Sequence, residues 1–261
     1  MVSMAMLISC VASCDSGSDA VSYGVGTLSL GLSANPSFST KTRSVNEAEY
    51  KKADNYQVTV KDVDGASLYN VWYKDMPLSI DLTAGNWYTV KAFYGENVNA
   101  GFDKLYVEGS QEFTVSEGEQ KNVILYCKPA NVKVSVVYTE DFLKYYSDCT
   151  VSLSTSHLTA PFEVNMKKDS GKDAYLKANA DGEKVSITVG GFRDKEGNEV
   201  VMDLVAAERV VKPKTHLTIT VDPEVITIST GTASIDVDVD TSTEDKDINI
   251  EIPEEYWPGN V

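Results

Sequence analysis

Along most of this chain apolar residues recur at every second position, and Gly, Asp, Asn or Pro interrupts the pattern roughly every eight to twelve residues. Successive side chains of a strand point to opposite faces, so this period specifies ribbons with one oily side and one wet side. Such ribbons are stable when paired and covered, which makes an all-β sandwich the expected architecture. Seven segments carry the pattern before residue 128: 25–33, 56–63, 68–73, 78–82, 87–94, 105–115 and 122–127. Seven more follow at 132–138, 149–154, 162–166, 174–178, 185–189, 200–211 and 216–221. The turns "DVDG" from Asp62, "TAGN" from Thr83 and "SEGEQ" from Ser116 supply the residues that tight reversals require. One short helix is expected, over 140–148.

With 261 residues the chain is longer than a usual single domain, and two domains are the first expectation. Its halves resemble one another. "LTAGNWYTVKAFYGE" from Leu82 and "ANADGEKVSITVGGFRDKEG" from Ala178 both run from a turn into a strand and then into a small residue followed by Phe, at Ala92-Phe93 and Gly191-Phe192. The divisions expected are a leader over 1–14, a tether over 15–24, sandwiches over 25–127 and 128–231, and a tail over 232–261. Pro129 cannot donate to a ladder and marks the junction "CKPANVKV".

The tail concentrates charge. From Thr232 onward nine carboxylates stand against Lys246 alone, which accounts for −8 of the chain's net −16. That excess of acid would repel phosphate backbones, so nucleic acid is not an expected partner. Asp236, Asp238 and Asp240 alternate with Ile235, Val237 and Val239. On an extended strand alternate carboxylates stand about 6.6 Å apart along one face, too spread to close on one calcium ion. They read as the wet side of a strand whose oily side needs a host, and Ile248, Ile250 and Ile252 repeat the design. "DVDG" resembles the start of a calcium loop, but Ala66 stands where a third ligand should follow, so a hairpin turn is expected there.

Catalytic constellations are missing from the sequence. His157 and His216, its two histidines, are expected as exposed strand residues, and neither adjoins a nucleophile or metal motif. A non-catalytic protein without a cofactor is the expectation. Cys127 and Cys149 are spaced for neither zinc nor redox chemistry, which leaves two buried thiols or a disulfide. Trp87 and Tyr88 are adjacent in a strand and must face opposite ways, so one of them lies outside. An exposed Trp72 or Trp87 could stack on sugar rings; the alternative is ordinary core and cross-strand packing.

The first fourteen residues read as a processing signal. An apolar run from Met4 to Ile8 is too short to span a bilayer, and "VASC" has an aliphatic residue and two small ones before Cys14, the shape of a bacterial lipidation site. "LISC" makes Cys10 the alternative acceptor. Acyl chains there would hold an exported protein to the membrane through the polar tether that follows.

The lipidation site, the first strand "GTLSLGLS", the link "FSTKTRS" and the junction "CKPANVKVSV" together resemble the fimbrillin-type, type V pilin-like surface lipoproteins of Bacteroidetes. The resemblance implies two tandem transthyretin-like (Ig-like) β-sandwich domains with an unstructured N-terminal leader and a C-terminal strand tail. It also implies a place on the outer membrane at the cell surface and a role in adhesion or pilus assembly. In the pilins of that group an Arg-specific protease cuts in the link after the first strand, and a strand from the next subunit fills the groove. Carried over, the cut falls after Arg43, one of three arginines in the chain, and removes Leu28, Leu30 and Leu32, the inward face of the first strand. The donor strand would be Ile235/Val237/Val239 or Ile248/Ile250/Ile252, and the partners other pilin-like subunits or a second copy. The alternative is a glycan-binding outer-membrane lipoprotein.

Overall fold

The computed structural model describes residues 24–38, 45–201, 205–222, 225–232 and 248–251. The first strand, β1 (Val25–Ala34), begins a sandwich with β2 (Gln57–Asp62), β3 (Ser67–Trp72), β4 (Ile80–Thr83) and β5 (Trp87–Gly95). A short strand β6 (Ala100–Phe102) precedes β7 (Tyr106–Thr114) and β8 (Gln120–Pro129). One face is the ladder β4-β1-β8 and the other is β3-β2-β5-β7, with the end of β8 joining β7 at Val107 and Glu108. Leu28, Ile80, Leu82, Val123 and Leu125 from the first ladder close on Val58, Val60, Tyr88, Val90, Ala92 and Phe113 from the second. The alternation along β8 is strict, with Val123, Leu125 and Cys127 inward and Asn122, Ile124 and Tyr126 outward.

The second half repeats this plan. Its strands are β9 (Asn131–Tyr138), β10 (Tyr146–Ser154), β11 (Phe162–Asn165), β12 (Ala174–Lys177), β13 (Glu183–Asp194), β14 (Val205–Val211) and β15 (Thr215–Val221). In both halves the first strand runs parallel to the last, β1 with β8 and β9 with β15, and takes an antiparallel neighbour on its other side, β4 or β12. The facing sheets correspond as well: β3-β2-β5-β7 and β11-β10-β13-β14. The chain is therefore two tandem transthyretin-like sandwiches, each with its own core. A single residue, Ala130, separates β8 from β9, and Pro129 sits at the very end of β8.

The halves share a seam. β6, from the first half, adds itself to the edge of β12, and Tyr175 of β12 packs into the first core. Two further strands, β16 (Val225–Thr232) and β17 (Ile248–Glu251), extend the sheet beyond β15 as an antiparallel pair. The helix expected over 140–148 is a single turn, α2 (Phe142–Tyr145), because Tyr146 already begins β10. Another turn, α1 (Glu47–Tyr50), follows the link after β1.

Candidate functional site

β1 lies in a groove that the rest of the first sandwich forms. It pairs over eight residues with β8, from Thr27 opposite Gln120 to Ala34 opposite Cys127, but over only four with β4, from Val25 opposite Thr83 to Leu28 opposite Ile80. Leu28 is fully buried, and Leu30 and Leu32 lean half-buried against the same core, as the alternation predicts. Beyond Leu28 the free edge of β1 is met by a side chain: the Tyr73 hydroxyl donates to the Leu30 carbonyl at 3.2 Å. Gly26 is required by close approach, since a Cβ there would lie 2.3 Å from Val115 Cγ2 and 2.4 Å from the Ser116 carbonyl.

The backbone of the expected donor segment is described in part. Ile248 and Ile250 lie in β17, opposite Ile228 and Ile226 of β16. Ile235, Val237, Val239 and Ile252 lie outside the described residues, as do Arg43, Cys10 and Cys14.

Trp72 and Trp87 both stand on the outer face of the sheet β3-β2-β5-β7, 48% and 58% exposed, while Tyr88 is buried. They do not form one platform. Gln57 pairs with Trp72 on one side and Phe93 on the other, so Trp72 sits at the Phe93 end of β5. Trp87 is six residues away along that strand, about 20 Å. At the Trp72 end a cleft of about 380 Å³ is lined by Tyr50, Gln57, Trp72, Phe93, Tyr94 and Glu96, among others. Two of its charges are paired, with Lys104 Nζ 2.5 Å from Glu96 Oε1, and Asp103 adds a further carboxylate to the lining. The "DVDG" segment is a hairpin turn, with Gly65 at φ +80° and the Asp62 carboxylate accepting from the amides of Asp64 and Ala66.

A polar cluster that the sequence reading did not single out lies buried in the seam. Lys133 and Ser135 alternate with Val132 and Val134 on β9, so they face away from the second core, toward the first sandwich. Register places His216 and Tyr175 beside Lys133 on the two flanking strands. Lys133 is completely buried, and its Nζ is 2.9 Å from Asp173 Oδ2. The Ser135 hydroxyl donates to Asp173 Oδ1, and His216 Nε2 lies 2.8 Å from Ser135 Oγ. Phe38, from the stretch just after β1, covers the group, with its ring 6.1 Å from Tyr175, 6.4 Å from His216 and 6.0 Å from Lys133 Nζ. His216 is thus buried rather than exposed on a strand. Burial first, and the Lys133 charge second, push its imidazole down to about 4, so it is neutral at neutral pH. His157 is also half-covered, 3.4 Å from the buried carboxylate of Glu183.

Cys127 and Cys149 are free, buried thiols in different cores, each pushed up to about 12 chiefly by burial. They do not pair.

No curated protein matches this chain. Among solved structures the chain is similar to a fimbrial assembly protein from Parabacteroides distasonis, with 14% identity and TM-score 0.41, covering 79% of this chain and 94% of that one. It is similar to the fimbrial anchor protein Mfa2 from Porphyromonas gingivalis, with 12% identity and TM-score 0.36, covering 78% and 97%. A candidate polysaccharide-binding protein from Bacteroides thetaiotaomicron is similar at 9% identity and TM-score 0.39, covering 78% and 95%. A family model, described as a domain of unknown function, matches residues 24–254 and so spans both sandwiches: the chain belongs to the DUF4493 family.

Proposed function

We propose that this is a non-catalytic cell-surface subunit for adhesion or pilus assembly, brought to the outer membrane with lipid on Cys14 and, once a cut after Arg43 has removed that lipid-bearing segment, joined to other subunits by strand exchange. The observation that carries the reading is the seat of β1. A ten-residue strand at the start of the first sandwich is held by one long parallel ladder and one short antiparallel ladder, and its removal would open an apolar slot between β8 and β4. A cut after Arg43 would release it. The replacement strand would form the same backbone ladder and fill the slot with alternate apolar side chains. Ile235/Val237/Val239 or the Ile248/Ile250/Ile252 edge has that period. The acids between them keep a free strand soluble and deter random edge pairing.

Digestion with an Arg-specific protease at low dose tests this. A single early cut after Arg43, release of residues 14–43 with the lipid on Cys14, and concentration-dependent oligomers are expected; a cut product that stays monomeric at all concentrations refutes exchange. The cleft beside Trp72 favours a second reading, binding of a glycan, because it combines an exposed indole on which a sugar ring can stack with the carboxylates of Glu96 and Asp103 as acceptors for sugar hydroxyls. Binding to soluble glycans that Trp72→Ala abolishes and Trp87→Ala spares would support it.

A further inference from the structure

The buried Lys133 is an unusual ligand for a carboxylate. Its Nζ touches Asp173 Oδ2 at 2.9 Å yet makes no directed hydrogen bond among the described residues. Phe38, Tyr175 and His216 wall it off from water. A surface ion pair is kept apart by hydration of both ions, but here that hydration is gone and the two groups are held in contact by adjacent strands of one sheet. The opposite oxygen of the same carboxylate has a separate donor, the Ser135 hydroxyl, which is itself backed by His216. Because the Ser135 proton is directed at Asp173, His216 must present Nε2–H to Ser135 Oγ.

From this geometry we propose that Lys133 and Asp173 join in an intramolecular amide, a covalent cross-link between β9 and the start of β12. A proton passes from the ammonium to the carboxylate, and the Nζ lone pair then adds to Asp173 Cγ. Oδ1 becomes the oxyanion and is stabilised by the Ser135 hydroxyl where charge develops. Oδ2, on the side of Nζ, takes up protons from the nitrogen and leaves as water. An ammonium and a carboxylate thus become one amide and one water, with charge balanced and no oxidant or cofactor needed. Ser135 is the catalytic residue, in contact with the reacting carboxylate, and His216 is a positioning residue acting through it. The proximity that drives the step is intramolecular, the situation in which effective concentrations are highest. The cross-link does not depend on the pilus reading; it would brace the seam of the molecule in any role that loads it.

The test is a tryptic map of the purified, denatured full chain. The Lys128–Pro129 bond resists trypsin, so unlinked protein yields peptides 122–133 and 173–177. Linked protein yields 122–144, uncut at Lys133, joined to 173–177 and lighter by one water. Quantitative recovery of the two free peptides overturns the proposal. Lys133→Arg, which keeps the charge and cannot form the amide, abolishes the joined species. Ser135→Ala slows its appearance after a pulse of synthesis by about a hundredfold, the usual loss on removing one such donor. His216→Gln, whose side-chain amide can still donate to Ser135 Oγ, retains most of the rate, whereas His216→Phe, which fills the same space without a donor, slows it as Ser135→Ala does; equal rates in the two variants would overturn the positioning role.

Discussion

Acidifying the protein from pH 7 to pH 5 will destabilise it through His216. Its neighbours in the seam are Lys133 on β9, Asp173 before β12, and the side chains of Ser135, Tyr175 and Phe38. Burial disfavours the imidazolium and is the leading cause; in the unlinked chain the Lys133 charge disfavours it further and Asp173 partly offsets both, and the amide would remove these two lesser and opposed effects together. The folded value is thereby about 4 against an ordinary 6.5. Between these limits the unfolded chain binds a proton that the folded chain refuses. The contribution is complete above 6.5 and is lost progressively as pH falls toward 4. A shift of this size corresponds to about 3 kcal/mol over the whole window, and about 2 kcal/mol of it falls between pH 7 and 5. Most carboxylates titrate below that interval, and the difference between the native chain and His216→Gln separates this histidine from His157. Urea unfolding followed by circular dichroism at half-unit pH steps measures it as a falling midpoint at constant slope. His216→Gln should be less stable at pH 7 but should lose about 2 kcal/mol less than the native chain from 7 to 5. Equal slopes for the native chain and the variant over this interval would refute the reasoning.

Three further outcomes are expected. Gly26→Ala forces a Cβ against Val115 and the Ser116 backbone and should destabilise by about 1–3 kcal/mol, seen as faster hydrogen exchange over residues 25–34 before the rest of the sandwich opens. Glu183 is 3% exposed and accepts from the Ser156 amide and the Asn179 side chain, each at 2.7 Å, so Glu183→Ala leaves two donors stranded and should cost about 2–3 kcal/mol in thermal or urea unfolding. Cys127 and Cys149, buried and held protonated, should resist alkylation at pH 8 in the native state and react together once urea unfolds the chain; labelling of either in native protein would contradict the two-core arrangement.

Alternation read the strands well where burial is one-sided. Segments such as Val58/Val60 and Val123/Leu125/Cys127 turn one face to a core and the other to water, and the sequence carries that contrast plainly. β10 is less legible because its pairing with β13 is irregular twice, between Tyr146 and Asp148 and between Asp148 and Thr150, which breaks the period where a helix was expected. β16 alternates too, but a seven-strand count had already closed the second sandwich, and the chain uses the extra strand to lengthen its sheet. The seam cluster was hidden for a different reason. Lys133 and Ser135 between valines look like the wet side of a strand, and only long-range pairing reveals that another sandwich covers that side. The one local signal was the run Ala174, Tyr175, Leu176, apolar on both faces, which marks a strand with no wet side.

That hidden coverage links the first strand to the seam. Asn35 continues the β1 ladder by donating to the Cys127 carbonyl, and three residues later Phe38 closes over Lys133 and His216. Any event that draws β1 out of its groove must therefore also lift Phe38 and admit water to Asp173, Lys133 and His216. Because burial is the leading cause of the low imidazole value, hydration should return it toward 6.5. Phe38→Ala imitates the lifting without cutting the chain and should destabilise by about 3–5 kcal/mol, with the loss shared between both sandwiches. An NMR titration of the His216 ring in this variant, and in protein cleaved after Arg43, should show the same upward shift. A ring that still titrates near 4 in both would mean that the seam stays dry without Phe38, and the first strand would then have no hold on the junction between the two halves.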